Sequence, residues 1–426
     1  MDAAALVRGL HTEDGRSNPY AWYARMHELG PMFVFDEPVA GYDAIAHSFA
    51  AADQVLRDPA FHLMGEEYED ARGSHWRKHE ALLTLKKSLF FMNGTAHTQI
   101  RRLFNSVFTA RRVAALVPAI VRLTEVAVDR LAALGADGEV VDFMSEFAFP
   151  LPSNIIGELI GVPEEDRSWY RPRARAMGDI LDLNTITWTT MRHADTSVTE
   201  LNAFFADLTA KRRADPRDDL MSGLLQAQDE DAGWLRDDYL FANLITIFNA
   251  GFVTTTHMFG HAVALLSRRP EMLHAMLDDR SLVGAYVEEI LRFEPPSHFV
   301  VRHATVTAEV AGVTVPAGSL VLVLIGAANR DPRRFPDPDE FDPTRPDNHP
   351  ISFGGGAHHC LGAALTRVEG ALALPMLFER FPNIQIVGDL APPNQFTLRG
   401  YDAMPVRLGV AERRSGAATL SEANCP

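Results

Sequence analysis

The chain is 426 residues long, 47% hydrophobic and 23% charged, and its formal net charge of −16 argues against nucleic acid, whose affinity comes mainly from Lys/Arg contacts to phosphate. No Pro/Gly/Ser-rich linker, composition break or internal repeat divides it, so residues 1–410 read as one domain and 411–426 as a frayed tail. MDAAALVRGLHTEDGRSNPY at the amino terminus lacks a signal-peptide core, nothing is apolar enough to span a bilayer, and two cysteines as differently placed as Cys360 and Cys425 exclude a disulfide framework, so a cytoplasmic protein without a membrane is expected.

In chain order, strand-like alternation comes first, at Pro31–Phe35. The charged, aromatic stretch from Phe61 to His97 reads as a mobile lid. Thr98 to Gly135 has apolar residues at helical spacing and predicts two helices hinged near Pro118. Leu151 to Leu181 and Ile186 to Arg213 read as further helices. The longest clean run is Leu235 to Ser267, opened by Asp237–Asp238 and closed by Arg268–Arg269–Pro270. Leu282 to Arg292 is another helix, stopped by Glu294–Pro295–Pro296. Val310 to Ile325 alternates like strand, with Pro316–Ala317–Gly318 as a turn. The predicted class is mainly α with a minor β region.

Chemistry concentrates in Phe353 to Gly362, FGGGAHHCLG, which sets Cys360 in a glycine-rich loop ahead of an apolar helical run. Glycines 354, 355 and 356 permit a tight turn and can aim successive amide N–H groups at one anion. The following helix would put its N-terminal dipole near the sulfur, which also favours a thiolate. A buried structural cysteine is one alternative, and zinc held with His358 and His359 is another. Haem-type ligation is favoured because such a loop needs no second protein ligand.

The pattern Phe353-Gly354-x-Gly356-x-His358-x-Cys360-x-Gly362 resembles the haem-ligand signature of the cytochrome P450 family. Four further segments agree in type. Glu289-Ile290-Leu291-Arg292 matches the family's ExxR, and Phe341 to Arg345 matches the segment that supplies a second arginine. His97 to Arg102 matches the helix that reaches the haem propionates. Ala250-Gly251-x-x-Thr254-Thr255 matches the oxygen-activation motif of the central helix. The resemblance runs from about Asn18 to Leu408 and is to the soluble bacterial members. It implies the cytochrome P450 fold, haem b, O2, and NAD(P)H-derived electrons delivered by a separate ferredoxin and ferredoxin reductase to a monomer. It also implies that Cys360 is the axial iron ligand, that His97, Arg101, Arg302 and His358 hold the propionates, and that Phe353, Gly354 and Gly362 shape the loop. Glu289, Arg292 and Arg345 would hold that loop in register; the first two lie three apart on one helix face and can pair. Arg102, Arg111, Arg112 and Arg367 are available as a basic docking patch.

The central helix departs from the family. Ala250 and Thr254 are four apart, so the Thr254 hydroxyl can bond back to the Ala250 carbonyl, and Gly251 would remove bulk beside the iron. Where the family usually has an acid before the threonine, this chain has Val253, and Asn249 is polar where the family is usually apolar. Protons could pass through Thr254 and waters, Asn249 could reorganise that chain or bind substrate, or the reaction could need fewer protons. By the same resemblance the substrate wall comprises Trp76, Leu85, Leu89, Phe90, Asn249, Val253, Phe299, Val300, Thr397 and Leu398. Its apolar character suits a bulky secondary-metabolite intermediate such as a polyketide or macrolide, a terpenoid or a cyclic peptide. The expected activity is insertion of one oxygen atom by hydroxylation or epoxidation. Oxidative cyclisation or coupling is the rival, and a non-catalytic haem sensor is a third reading. NGTAH stands at Asn93–His97 in place of the DPPEH common in bacterial relatives.

Overall fold

The computed structural model describes residues 1–180, 186–230, 235–390 and 397–409; the tail expected at 411–426 lies outside these. Helices dominate, with three small sheets at the side. The central helix runs Asp237–Leu266, and Asp237 and Asp238 occupy its first turn, where the helix dipole favours negative charge. Leu244, Phe248, Phe252 and Phe259 form a buried stripe along it, because residues three, four and seven apart share a helix face. It packs against the Pro150–Ile160 and Glu164–Asp179 helices within the largest apolar cluster.

Two helix readings need correcting. Residues 98–135 form three helices, not two: Gly94–Val107, Ala110–Ala115 and Val117–Leu134. Pro118 is no hinge; it sits in the first turn of the third helix, where its missing N–H costs no hydrogen bond. Likewise the run from Leu151 divides at Gly161, whose φ of 93° is the left-handed helix-ending conformation, followed by Val162–Pro163. Elsewhere the expected spans hold, with helices at Trp188–Ala214 and Val283–Phe293.

Ten strands are present among the described residues: β1 Met32–Val39, β2 Tyr42–Ala46, β3 Phe61–His62, β4 Val141–Asp142, β5 Phe299–Ala304, β6 Ala308–Val310, β7 Val313–Val315, β8 Leu320–Leu324, β9 Gln385–Ile386 and β10 Pro405–Arg407. The main sheet has the order β1-β2-β8-β5-β3, with β2 and β8 parallel and the other pairs antiparallel. Its register sets Arg302 opposite Val321 and His303 opposite both Leu320 and His62. Pro316–Gly318 does not close a hairpin: β7 pairs back to β6, and the turn carries the chain on to β8 in the main sheet. β5 thus runs through the main sheet and delivers Arg302 toward the cysteine loop.

Candidate active site

Cys360 follows a single turn at Gly356–His358 and precedes the Ala363–Arg380 helix. Its amide donates to the Phe353 carbonyl at 2.9 Å, closing the loop. Gly354 and Gly356 have φ of 69° and 63°, which any side chain would strain. At Gly356 a Cβ would lie 2.7 Å from the Leu56 carbonyl oxygen, so this glycine seats the loop on the Phe49–Arg57 helix. The cysteine is exposed although protein surrounds it at longer range. That surrounding burial raises the thiol pKa above its ordinary value, and amides of Gly362 and Ala363 with the charges of Arg101 and Arg367 oppose the rise only in part. The free side chain is therefore a thiol, and a bound metal cation would take it as thiolate with release of a proton.

Around the loop stands a group of basic side chains, His97, Arg101, Arg302 and His358, that form no ion pair among the described residues. His97 and Arg302 are buried, and the His97 and His358 rings lie 4.0 Å apart. Arg101 donates to the His359 carbonyl at 2.8 Å and to Asn105 Oδ1 at 3.2 Å. Arg302 donates to its neighbour Val301's carbonyl at 2.9 Å and pairs with no carboxylate among the described residues. Burial lowers the Arg302 pKa to about 10. It also lowers His97 to about 4, with Arg101 adding to the effect, and His358 to about 3, with His97 and Arg302 adding. His97 Nε2 is buried without a partner. A buried guanidinium beside an idle imidazole nitrogen is costly unless an anion meets it. The two propionates of a haem fit that requirement, and no group of three His, Cys, Asp or Glu suited to a metal ion occurs among the described residues. His257 and His261 do form an HxxxH pair, yet His261 Nε2 meets the Arg399 carbonyl at 3.1 Å and Gly400 closes over His257.

The loop is braced from behind. Glu289 and Arg292 are both 0% exposed and pair bidentately at 2.7 and 2.8 Å, and Arg345 Nε reaches Glu289 at 3.3 Å. The same carboxylate accepts from the Asp342 amide at 2.7 Å and Asn348 Nδ2 at 3.0 Å, while Arg292 also donates to the carbonyls of Asn329, Pro338 and Glu340. Asn329 went unnoticed in the sequence. Its side chain receives the Ile351 amide at 2.9 Å and donates to Ser352 Oγ at 2.8 Å, joining this brace to the residues entering the cysteine loop. The signal was one polar residue ending the apolar run LVLVLIGAAN. On the expected basic patch, Arg112 pairs with Asp218 and Arg367 with Glu288, so only Arg102 and Arg111 make no ion pair among the described residues.

On the central helix Thr254 Oγ1 donates to the Ala250 carbonyl at 3.1 Å, and Ala250 is exposed although Phe248, Asn249 and Phe252 beside it are buried. Gly251 corrects an expectation. Its missing Cβ faces Ile156 Cδ1 at 2.7 Å, so it admits the Pro150–Ile160 helix rather than clearing space on the Ala250 side. Val253 is half-buried against the main core and Asn249 is buried. The proposed wall divides. Leu85 is buried, Leu89 half-buried, Phe90 exposed, and Leu398 bridges Ser297. Val300 shares the Arg302 face of β5, whereas Phe299 packs with Tyr23, Leu322 and Leu324 on the opposite face, because successive strand residues alternate. Phe299 therefore leaves the wall. Trp76 donates to Asp70 Oδ1 at 2.9 Å beneath Arg77, inside the expected lid. That segment is fastened by Lys86–Glu69 at 2.7 Å, His79–Asp195 at 2.8 Å and Lys87–Asp238 at 3.0 Å. Asn93, from the unusual NGTAH, bonds both ways to the Leu63 backbone and opens the His97 helix.

A mainly helical body in which a long central helix and a glycine-cysteine loop edge a set of basic side chains without an acidic partner among the described residues defines a haem oxidoreductase architecture. The family model described as Cytochrome P450 matches residues 57–278 and 273–396, and the chain belongs to that family. It is 38% identical over 73% of its length to 6-deoxyerythronolide B hydroxylase of Saccharopolyspora erythraea, covering 76% of that protein. It is 32% identical to the cytochrome P450 monooxygenase PikC of Streptomyces venezuelae, over 94% of both chains. The crystal structure of P450BioI in complex with acyl carrier protein bearing hexadec-9Z-enoic acid superposes with a TM-score of 0.83 at 28% identity, covering 92% of this chain and 99% of that one. The protein is an oxidoreductase of the monooxygenase class that uses haem b, O2 and electrons from NAD(P)H supplied through redox partners. No helix among the described residues is long and apolar enough to cross a membrane.

Proposed function

We propose that Cys360 is the axial ligand of the haem iron, that His97, Arg101, Arg302 and His358 hold the propionates, and that the enzyme inserts one oxygen atom into a bulky, largely apolar secondary metabolite of the polyketide or macrolide type. The observation that carries this is the buried Arg302 and His97, which no carboxylate among the described residues meets, together with an exposed Cys360 in the neighbouring loop. When bound, the haem supplies activation of O2, with one oxygen atom going to substrate by hydroxylation or epoxidation and the other leaving as water, for two electrons and two protons. The chain's part is placement. Thr254, with its hydroxyl proton held by the Ala250 carbonyl, presents its oxygen lone pairs to a donor in the distal space. Protons pass through that hydroxyl, which leaves the Ala250 carbonyl as it relays, and through ordered water, since Val253 carries none. Glu289, Arg292 and Arg345 keep the cysteine loop in position.

A terpenoid or cyclic-peptide substrate satisfies the same apolar wall. Oxidative cyclisation or coupling is the second reading, and Val253, in place of the acid usual at that position, is the departure that favours it. Electrons come from a ferredoxin and its reductase docking at Arg102 and Arg111, and residues 1–410 act as one cytoplasmic, monomeric catalytic unit. The test is reduction under carbon monoxide followed by turnover with 18O2. A red-shifted haem band lost in Cys360→His, with a single labelled oxygen in the product, supports the reading. An unlabelled, dehydrogenated product instead establishes the cyclase reading, and a band unaffected by the substitution sinks thiolate ligation.

A further inference from the structure

The central helix carries two buried asparagines that the protein treats in opposite ways. Asn243, 1% exposed, is fully used: Oδ1 accepts from the Leu89 amide at 2.8 Å, and Nδ2 donates to the carbonyls of Tyr239 at 2.8 Å and Lys87 at 3.3 Å. Asn249, 7% exposed, is idle: its Oδ1 is enclosed without a partner, and its Nδ2 makes no hydrogen bond among the described residues. A buried amide left unpaired destabilises a fold, so a helix that needed only packing here would carry leucine.

The surroundings keep that amide clear. Directly opposite, on the Glu164–Asp179 helix, stands Gly178, and a Cβ there would meet Asn249 Nδ2 at 3.7 Å and Oδ1 at 3.8 Å. No side chain of that residue covers the carboxamide. The next residue along the central helix is Ala250, whose surface is open.

We infer that Asn249 is the specificity-determining anchor for a hydroxyl group carried on the substrate's apolar frame, seated at the seam between the Gly178 and central helices. This rests on the monooxygenase reading and narrows its substrate class to an oxygenated frame, such as a hydroxylated lactone or steroid-like ring system, over a plain hydrocarbon chain. The amide can turn either end toward the ligand, so it serves a donor or an acceptor. Specificity follows because a frame lacking the oxygen leaves the amide unpaired.

The test uses haem-loaded enzyme, with Asn249→Leu and Gly178→Ala as variants. The midpoint of thermal unfolding without ligand is measured first. Asn249→Leu raises it by at least about 1 °C, since the substitution removes an unpaired polar group; a fall, or no change, shows the amide to be structural and overturns the inference. Spin-state titration with progesterone and with corticosterone, 11-deoxycorticosterone and 17α-hydroxyprogesterone follows. The parent binds at least one hydroxylated steroid about fivefold or more tighter than progesterone, and Asn249→Leu abolishes or reverses that ratio. Gly178→Ala, whose methyl would sit in ordinary contact with the amide, folds normally and shrinks the ratio. A ratio unmoved by either variant overturns the inference, and if no steroid binds the parent, the unfolding comparison decides alone. Failure of the monooxygenase reading is separate, because it shows as a missing red-shifted band in the parent enzyme.

Discussion

Glu289→Gln removes one charge from the centre of the brace behind the cysteine loop. The carboxylate accepts five hydrogen bonds: two from Arg292, and one each from Arg345, the Asp342 amide and Asn348. Glutamine keeps one acceptor oxygen and turns an NH2 group against donors at the other. Arg292, 0% exposed, then has no counter-ion except the carbonyl dipoles of Asn329, Pro338 and Glu340. Stranding a buried charge costs about 3–5 kcal/mol, and those retained carbonyls put the expected loss near the lower end, about 3 kcal/mol. Against a typical folding stability of about 5–15 kcal/mol, such a loss is large but survivable. The damage falls on the stretch from Asp342 to Asn348, which leads into Ile351 and the cysteine loop. The expected result is folded protein with a lowered urea midpoint and a haem-to-protein ratio well below that of the parent. Arg292→Lys, which keeps the charge but loses the fork, should lie between. Full haem content with an unchanged midpoint in Glu289→Gln would refute the assignment of this carboxylate as the loop's anchor.

Arg302→Leu should act in opposite directions on the two forms: the haem-free protein becomes more stable because an unpaired buried guanidinium is gone, while haem transfer to apomyoglobin accelerates about tenfold or more. Equal destabilisation of both forms would count against a propionate contact. His47 is 0% exposed with both ring nitrogens unpartnered, and burial lowers its pKa to about 3. Its folded pKa lies below the unfolded value of about 6.5, so its contribution is complete above pH 6.5 and is lost as pH falls toward 3, at up to about 1.4 kcal/mol per pH unit. Urea midpoints of His47→Phe should therefore vary less steeply than the parent's across that window; an identical slope counts against it. Val253→Glu should lower the peroxide formed per NAD(P)H while leaving the product unchanged, because Val253 only packs; a lost or altered product would show instead that the position is matched to the substrate.

Much of the site was legible because its spacings are local. The Glu289–Arg292 pair and the Thr254–Ala250 bond follow from helix periodicity alone, and the loop's left-handed turns needed the glycines at 354 and 356. Misreadings arose where a residue's neighbour lies far away in sequence. Gly251 faces Ile156, Phe299 falls on the far side of its strand, and Asn329 reaches forward to Ile351 and back toward Arg292. The Phe61–His97 segment looked like a loose lid because its partners, Asp195 and Asp238, come more than a hundred residues later.

By itself the sequence determined the class of fold and the glycine-rich cysteine loop, since these rest on residue types at short fixed intervals. Only the tertiary structure decided which polar groups are used up and which are left idle. Asn243 and Asn249 are the same residue on the same helix, and nothing along the chain separates them. One meets the backbone of Lys87 and Leu89 and the other faces Gly178, because helix packing, not helix periodicity, chooses what stands opposite a buried side chain.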